Sequence, residues 1–261
     1  MNKLKLAGVQ SLIMDGDLNG NFQRMESAVK EIVKNKVDFI LFPELCLTGP
    51  DVNNIKKNAT SYSEEIRKNI SDLSRQNEVW ILPGTFYYAH GSEIRNRAEV
   101  FNANGDLVAR YDKQFPWLPY EMTKPGNKIT VLDIDGKVSA GISICYDMWF
   151  PEQVRDTIKK GAEIILHPSL TSTEDRKQEL ILSQAHAIMN QCYFIDINGS
   201  GVGVGESIIV GPEGEVISQA GKDEEILIVE LDLDHLRRVR KVGTENVTLS
   251  WKHFTKGLET A

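Results

Sequence analysis

Three polar side chains that can act together in catalysis each follow a short apolar run of the sequence. Glu44 follows the first run, Lys113 the second, and Cys145 ends the third. Ligands of α/β sheets gather at the carboxyl ends of strands, so a carboxylate, an ammonium and a thiol at three such ends predict one site. Each residue alone has an ordinary explanation, because free cysteines are common in cores and charged residues after strands are usually solvated.

The chemistry available to these groups is nucleophilic attack on an amide. A thiol with a pKa of about 8.5 is mostly protonated at neutral pH and needs a base to become an efficient nucleophile. Glu44 can accept the thiol proton of Cys145, while Lys113 and a backbone N–H after the cysteine stabilise the oxyanion. Glu44 would then protonate the leaving amine and activate water against the thioester. Asp147 is expected to orient the turn after the nucleophile or to cap the next helix.

Alternating strand and helix patterns along the chain predict the elements that position these groups. The predicted strands cover residues 4–10, 37–42, 79–82, 94–101, 107–111, 129–134, 141–145, 163–167, 192–197, 207–210, 216–218 and 226–231. The predicted helices cover residues 21–35, 64–77, 151–160 and 177–190, with a short basic helix after the last strand. The segment 113–128 is predicted to be irregular. No linker or repeat is visible, so we expect one α/β domain over residues 1–261.

The composition favours a small molecule as the partner. The 261 residues carry a formal net charge of −7, which argues against nucleic acid or an anionic membrane surface. No apolar run reaches the roughly 18 residues of a membrane helix. Three cysteines at irregular spacings indicate neither a disulfide framework nor a zinc site, and we expect a cytoplasmic protein.

Three weaker signals are better explained by structure than by ligand binding. The five histidines form no H-x-H or H-x-x-x-H pair, so we expect no metal and no cofactor. The glycines of segment 199–205 lack the spacing of a phosphate loop and predict a turn. The basic run 236–241 is expected to be a solvated helix face rather than a nucleic-acid patch.

Several segments resemble the nitrilase superfamily of carbon–nitrogen hydrolases, with the order Glu, Lys, Cys preserved. The resemblance begins with FPEL at 42–45, YDK at 111–113 and ICYD at 144–147. It continues along nearly the whole chain at 150–152, 161–163, 167–169, 198–199 and 207–215. The resemblance implies a four-layer αββα sandwich and a Glu44–Lys113–Cys145 triad that forms a thioester without a metal. It also implies association through sandwich faces into a homodimer or a larger assembly.

A loop before the third strand end resembles the corresponding loop of aliphatic amidases and formamidases. Its sequence, PWLPYE at 116–121, is followed by Pro125 and Gly126, and the resemblance makes Glu121 the expected fourth polar residue of the site. Phe115 stands where many relatives carry histidine, which removes one marker for the branch. Trp149 is expected either to wall the acyl pocket or to pack in the core. The other expected substrate-binding residues are Tyr146, Trp117 and His167.

The leading hypothesis is an amidase that hydrolyses a small carboxamide to a carboxylic acid and ammonia. An N-carbamoyl amide hydrolase and a nitrilase remain alternatives, as does a catalytically silent scaffold with the same fold. The sequence leaves open the acyl-chain preference, the stereochemistry and the oligomer size. We expect the segments 51–63 and 251–261 to shape pocket access or subunit contacts.

Overall fold

Two β-sheets face each other in the computed structural model, which describes residues 2–51, 55–61 and 64–259. The first sheet has seven strands, in the order β15 (Glu225–Asp232), β1 (Lys3–Gln10), β3 (Phe39–Leu41), β4 (Trp80–Leu82), β6 (Glu93–Phe101) and β5 (Thr85–His90), with β7 (Leu107–Asp112) also paired to β6. The second sheet has six, in the order β14 (Val216–Gln219), β13 (Ile208–Val210), β11 (Tyr193–Asn198), β10 (Ile164–Ser169), β9 (Val138–Ile142) and β8 (Val131–Ile134). A short parallel pair joins β2 (Leu12–Ile13) to β12 (Ser200–Gly201).

Helices cover the outer faces of both sheets and complete four layers. The α-helices are α1 (Leu18–Ile32), α2 (Ile55–Ser61), α3 (Glu64–Asn77), α4 (Pro151–Lys159), α5 (Arg176–Asn190), α6 (Leu233–Val242) and α7 (Ser250–Glu259). Apolar side chains of α1 and α3 pack on the first sheet, and those of α4 and α5 pack on the second. A third apolar cluster fills the space between the sheets. The expected αββα sandwich is confirmed.

Strand alternation explains how one sheet serves two layers. In β1, Leu4 and Leu6 point into the cluster between the sheets, while Ala7 and Val9 point toward α1 and α3. Gly8 lies where the two sheets approach each other closely, because a Cβ there would lie 2.2 Å from Cδ1 of Ile197. A larger residue at this position would push the sheets apart.

The parallel strands at the centre of each sheet end on the same side of the sandwich. β1, β3 and β4 are parallel in the first sheet, and β9, β10 and β11 are parallel in the second. The backbone N–H of Glu44, after β3, donates to the carbonyl of Ser169, at the end of β10, over 3.2 Å. The strand ends that carry the predicted site residues therefore meet.

Some predicted boundaries were wrong, and some elements of the structure were not predicted. The first helix begins at Leu18 rather than at residue 21, and the strand before Cys145 ends at Ile142. Strand β5 and helices α2 and α7 were not predicted. Of the segment 51–63, residues 52–54 and 62–63 lie outside the described part of the chain, as do residues 260–261 of the C-terminal segment. Over the described residues, no helix combines the length and apolar character needed to cross a membrane.

Candidate active site

Glu44 is held by a tight turn that leaves the end of β3. Its neighbour Leu45 adopts a left-handed backbone with φ of 51° and donates its N–H to Oγ1 of Thr85 over 3.1 Å. Gly84 passes so close that a Cβ on it would lie 1.8 Å from the carbonyl oxygen of Pro43. A glycine is required there, because any side chain would displace the turn that aims Glu44.

Lys113 follows β7 and lies between two carboxylates. Its Nζ lies 2.8 Å from Oε1 of Glu44 and 2.8 Å from Oε2 of Glu121, and only 2% of its side chain is exposed. Burial opposes the charged form, but the carboxylates of Glu121 and Glu44 outweigh it and raise the pKa of Lys113 well above its usual value. The ammonium therefore stays charged throughout the neutral range.

Asn96, on β6, also connects the two carboxylates. Its Nδ2 donates to Oε1 of Glu44 and to Oε1 of Glu121, each over 2.8 Å. Glu121 also accepts the backbone N–H of Trp117 over 3.0 Å. Burial alone would raise the pKa of Glu121, but Lys113 and these donors lower it below its usual value. Among the described residues, both hydrogen bonds to the side chain of Glu44 end on Oε1, which leaves Oε2 for a third group.

Cys145 begins a 3₁₀ helix, Cys145–Trp149, that leads into α4. Its φ of 45° lies in the left-handed region, which costs a residue other than glycine about 1–2 kcal/mol. The buried carboxylate of Asp147 fixes this turn, accepting the N–H of Ile144 over 3.0 Å. It also accepts the N–H of Phe115 over 2.8 Å and the hydroxyl of Tyr111 over 2.7 Å. Asp147 therefore ties the nucleophile turn to the lysine loop.

The thiol of Cys145 is partly exposed and protonated at neutral pH. Burial raises the pKa of the thiol well above its usual value, the carboxylate of Glu44 raises it further, and Lys113 opposes both. Its Sγ lies 4.0 Å from Oγ1 of Thr171, whose hydroxyl donates to Oε2 of Glu179 over 2.7 Å. A thiol in this state needs a base to become a nucleophile, and Glu44 is the carboxylate with the largest effect on it.

All four polar residues open onto one cavity of about 330 Å³. Glu44, Lys113, Glu121 and Cys145 line it together with Asp15, Leu45, Pro50, Asp51, Tyr87, Trp117, Tyr120, Leu170, Ser172 and Val202. A second, smaller cavity of about 40 Å³ also reaches Cys145 and is lined by Tyr146, Thr171 and Glu179, among others. The first cavity has the volume expected of a site for a small molecule.

The structure separates the four expected substrate-binding residues into two pairs. Trp117 lines both cavities and Tyr146 lines the smaller one. His167 is fully buried and its ring lies 5.1 Å from that of Phe194, on the helix-facing side of β10, so it does not line a cavity at Cys145. Burial lowers the pKa of His167 to about 4. Trp149 packs against the α4 and α5 cluster, and its Nε1 donates to Glu179 over 3.4 Å. Of the two positions expected for Trp149, the structure therefore shows the one in which it packs against other side chains.

Several residues of the site were not found from the sequence. Asn96 lies on β6, which was predicted, and Tyr87 lies on β5, which was not. The run TFYYA at 85–89, rich in aromatic residues, was the available signal for β5. Thr171 and Glu179 carry no such signal, since only the fold brings them to Cys145. Within the described ranges, no three His, Cys, Asp or Glu residues form a group that could hold a metal ion.

Comparison with known sequences relates the chain to amide-cleaving enzymes. The family model described as carbon-nitrogen hydrolase matches residues 5–241. A deaminated glutathione amidase of Dictyostelium discoideum is 29% identical over 271 residues, with 92% of each chain covered. A 2-oxoglutaramate amidase of Bacillus subtilis is 27% identical over 250 residues, which cover 92% of this chain and 95% of the relative.

Comparison with solved structures identifies the same fold. A Saccharomyces cerevisiae protein of branch 10 of the nitrilase superfamily superposes with a TM-score of 0.86 at 25% identity, covering 92% of this chain and 94% of its own. An amidase from Nesterenkonia sp. superposes with a TM-score of 0.82 at 24% identity, covering 91% and 94% of the two chains. The αββα arrangement is therefore shared with enzymes of known structure.

Proposed function

The chain belongs to the carbon–nitrogen hydrolase family, and from this premise we propose that it hydrolyses a small carboxamide to a carboxylic acid and ammonia. One observation carries the proposal: Glu44, Lys113, Glu121 and Cys145 face a single cavity, with Lys113 in contact with both carboxylates. Such a pairing of a partly exposed thiol with a base and a cation is the arrangement that nucleophilic catalysis on an amide requires.

The proposed reaction begins when Glu44 takes the thiol proton as Sγ of Cys145 bonds to the amide carbon. The carbonyl oxygen becomes an oxyanion, which the ammonium of Lys113 and the backbone N–H of Tyr146 stabilise. The C–N bond then breaks, the proton on Glu44 passes to the nitrogen, and ammonia leaves a thioester on Cys145. Glu44 next takes a proton from water, which attacks the thioester, and the acid departs as the thiol regains its proton. Glu121 holds Lys113 in place through these steps.

The charge of the cavity favours amides without a carboxylate elsewhere in the molecule. Asp15 and Asp51 line the cavity, and Lys113 is the single cation among its described lining residues. Lys113 already contacts two carboxylates. A carboxylate on the substrate would meet like charges without a cation of its own, which is unfavourable in a partly desolvated site. We therefore propose short, uncharged carboxamides as the preferred class.

Ammonia release tests the proposed function. Short aliphatic amides, 2-oxoglutaramate, N-carbamoyl amino acids and aliphatic nitriles would be compared with the wild type and with Cys145→Ala. We expect turnover of the short amides, with a higher kcat/KM than for 2-oxoglutaramate, and none by the variant. Preferential turnover of carbamoyl compounds or nitriles would assign those activities instead. No turnover of any compound would favour the silent scaffold.

Two further features of the molecule are part of this proposal. We propose that the chain acts as one domain and forms a homo-oligomer. The exposed side chains of Ile181, Ile188 and Met189 on α5 support the homo-oligomer, because exposed apolar side chains on one helix favour contact with another copy. We also propose a cytoplasmic location, which the three free cysteines support, since such thiols suit a reducing compartment. Light scattering and fractionation of the source cells test these points.

A further inference from the structure

Tyr87, on β5, lines the cavity of Cys145 and has no role in the reaction proposed above. The residue is 1% exposed, and its ring packs with Leu45, Ile55 and Ala59. In the part of the chain that the structure describes, the hydroxyl has no hydrogen-bond partner, although the residue lines the cavity of Cys145. Buried polar groups are nearly always hydrogen bonded, so an unpaired hydroxyl at a cavity indicates a partner from outside the protein.

The surroundings of this hydroxyl show where that partner would lie. The carboxylates of Glu121 and Glu44 and the ammonium of Lys113 influence the pKa of the Tyr87 hydroxyl, as does the side chain of Cys145. Burial, followed by these carboxylates, raises the pKa of Tyr87 far above its usual value, so the hydroxyl is neutral and can both donate and accept. A carboxamide placed between Cys145 and Glu44 therefore lies beside it.

We propose that Tyr87 is a further catalytic residue, whose hydroxyl hydrogen bonds to the carboxamide of the substrate and holds it against Cys145. This inference rests on the proposed function and deepens it. The carboxylates of the site can only accept and Lys113 can only donate. A hydroxyl that does both matches a carboxamide, which offers an acceptor oxygen and donor N–H groups on adjacent atoms. It also discriminates against substrates that lack them, because the hydroxyl would stay unpaired.

Replacing Tyr87 by Phe separates a substrate contact from a structural role. The substitution removes only the oxygen and leaves the ring in its cluster. Because the hydroxyl bonds to no other group in the described ranges of the chain, we expect the Tm of the free enzyme to stay unchanged or to rise. We expect kcat/KM for short amides to fall by about tenfold, the effect of one lost hydrogen bond of ordinary strength. An unchanged kcat/KM would overturn the proposal.

The adjacent tyrosine provides a matched control. Tyr88 points to the opposite face of β5, where the guanidinium of Arg97 lies 4.0 Å from the centre of its ring. Tyr88→Phe removes the same atom from the next residue of the same strand, and we expect it to leave kcat/KM unchanged. Equal losses in the two variants would assign the effect to the strand and would contradict a contact between Tyr87 and the substrate.

A second measurement tests Tyr87 without turnover. Acrylamide and acrylonitrile both add to thiols through a carbon–carbon double bond, but only acrylamide carries a carboxamide. We expect Tyr87→Phe to slow alkylation of Cys145 by acrylamide several-fold and to leave alkylation by acrylonitrile unchanged, as read by mass spectrometry. An equal ratio of the two rates in wild type and variant would refute the contact. A wild type that hydrolyses no amide would refute the proposed function, and this ratio would still decide the role of Tyr87.

Discussion

At the scale of single residues, the site is a balance of charges around a protonated thiol. Nζ of Lys113 lies 2.8 Å from a carboxylate oxygen of Glu44 and 2.8 Å from one of Glu121, so one positive charge faces two negative charges. The carboxylate of Glu44 therefore raises the pKa of the Cys145 thiol more than Lys113 lowers it. Such a thiol is a weak nucleophile until a base removes its proton in the presence of substrate. The identities of Glu44, Lys113, Glu121 and Cys145 were predicted from strand ends and from family resemblance, and the structure places all four at one cavity.

Substitutions of the charged partners should move the thiol pKa in opposite directions. Glu44→Gln removes a carboxylate that raises the pKa of Cys145, so the pH profile of its alkylation by iodoacetamide should move to lower pH. Lys113→Met removes the cation that lowers this pKa, so the profile should move to higher pH. Both variants should lose amide turnover. Profiles that shift in the same direction would contradict the assigned charges.

Glu121 should matter through Lys113 rather than through the thiol. Glu121→Gln keeps the size of the side chain but removes the charge that holds the ammonium, and we expect kcat to fall by about 10- to 100-fold with a smaller change in KM. Steady-state kinetics on a short amide measure both constants. If every kinetic constant were unchanged, Glu121 would have no part in catalysis.

At the scale of elements, Asp147 joins two segments that the sequence shows only separately. Its carboxylate accepts from Ile144 beside the nucleophile and from Gln114 and Phe115 beside the lysine. The sequence indicated that Asp147 either orients its own turn or caps the next helix, and the structure adds the link to the lysine loop. The expected strand ends were found because apolar runs mark them, whereas β5 was missed although its residues favour strands. Boundaries differ by a few residues because tertiary contacts decide them.

Burial of Asp147 should make stability depend on pH in an unusual direction. Burial, which its hydrogen bonds only partly offset, raises its pKa from 3.8 to about 6. Between these values the folded state binds more protons than the unfolded state, so this group should lower the free energy of unfolding as pH rises from about 4 to about 6, by up to about 3 kcal/mol.

Urea denaturation of the wild type and of Asp147→Asn between pH 4 and pH 7 measures this contribution. The difference between the two stability curves should change over that window, since the variant lacks the titrating group. We also expect the variant to have a lower free energy of unfolding at pH 7. The amide of asparagine has one accepting oxygen, and its NH₂ group would face one of the N–H or O–H groups that donate to Asp147. Parallel curves would exclude Asp147 as the source of the slope.

At the scale of the whole molecule, the site exists because two sheets pack face to face. Glu44 and Lys113 come from the first sheet and Cys145 from the second, so contacts between residues that lie far apart in the sequence create it. Local patterns predicted most strands but not which side chains meet across the sandwich. The burial of His167 depends on the helices that cover the second sheet, and the contact of Thr171 with Cys145 depends on the parallel pairing of β10 with β9. Family resemblance supplied the sandwich that periodicity alone did not.

The exposed apolar face of α5 should mediate association of the whole molecule. Ile181 is 66% exposed there, and Ile181→Glu should shift the mass measured by light scattering from that of an oligomer toward that of one chain, because a buried charge would oppose the contact. Val108→Glu introduces the same side chain at a position that is 43% exposed on β7, in the other sheet, and should leave the mass unchanged. A monomeric wild type would contradict the proposed homo-oligomer.

The most direct test of the account is detection of the acyl group on Cys145. Wild-type protein mixed with a short aliphatic amide and quenched in acid should gain the mass of the acyl group, located on the peptide that contains Cys145, and should release ammonia. Cys145→Ala should show neither product while remaining folded. Ammonia release that continues at the wild-type rate in Cys145→Ala would contradict a reaction through a thioester at this residue.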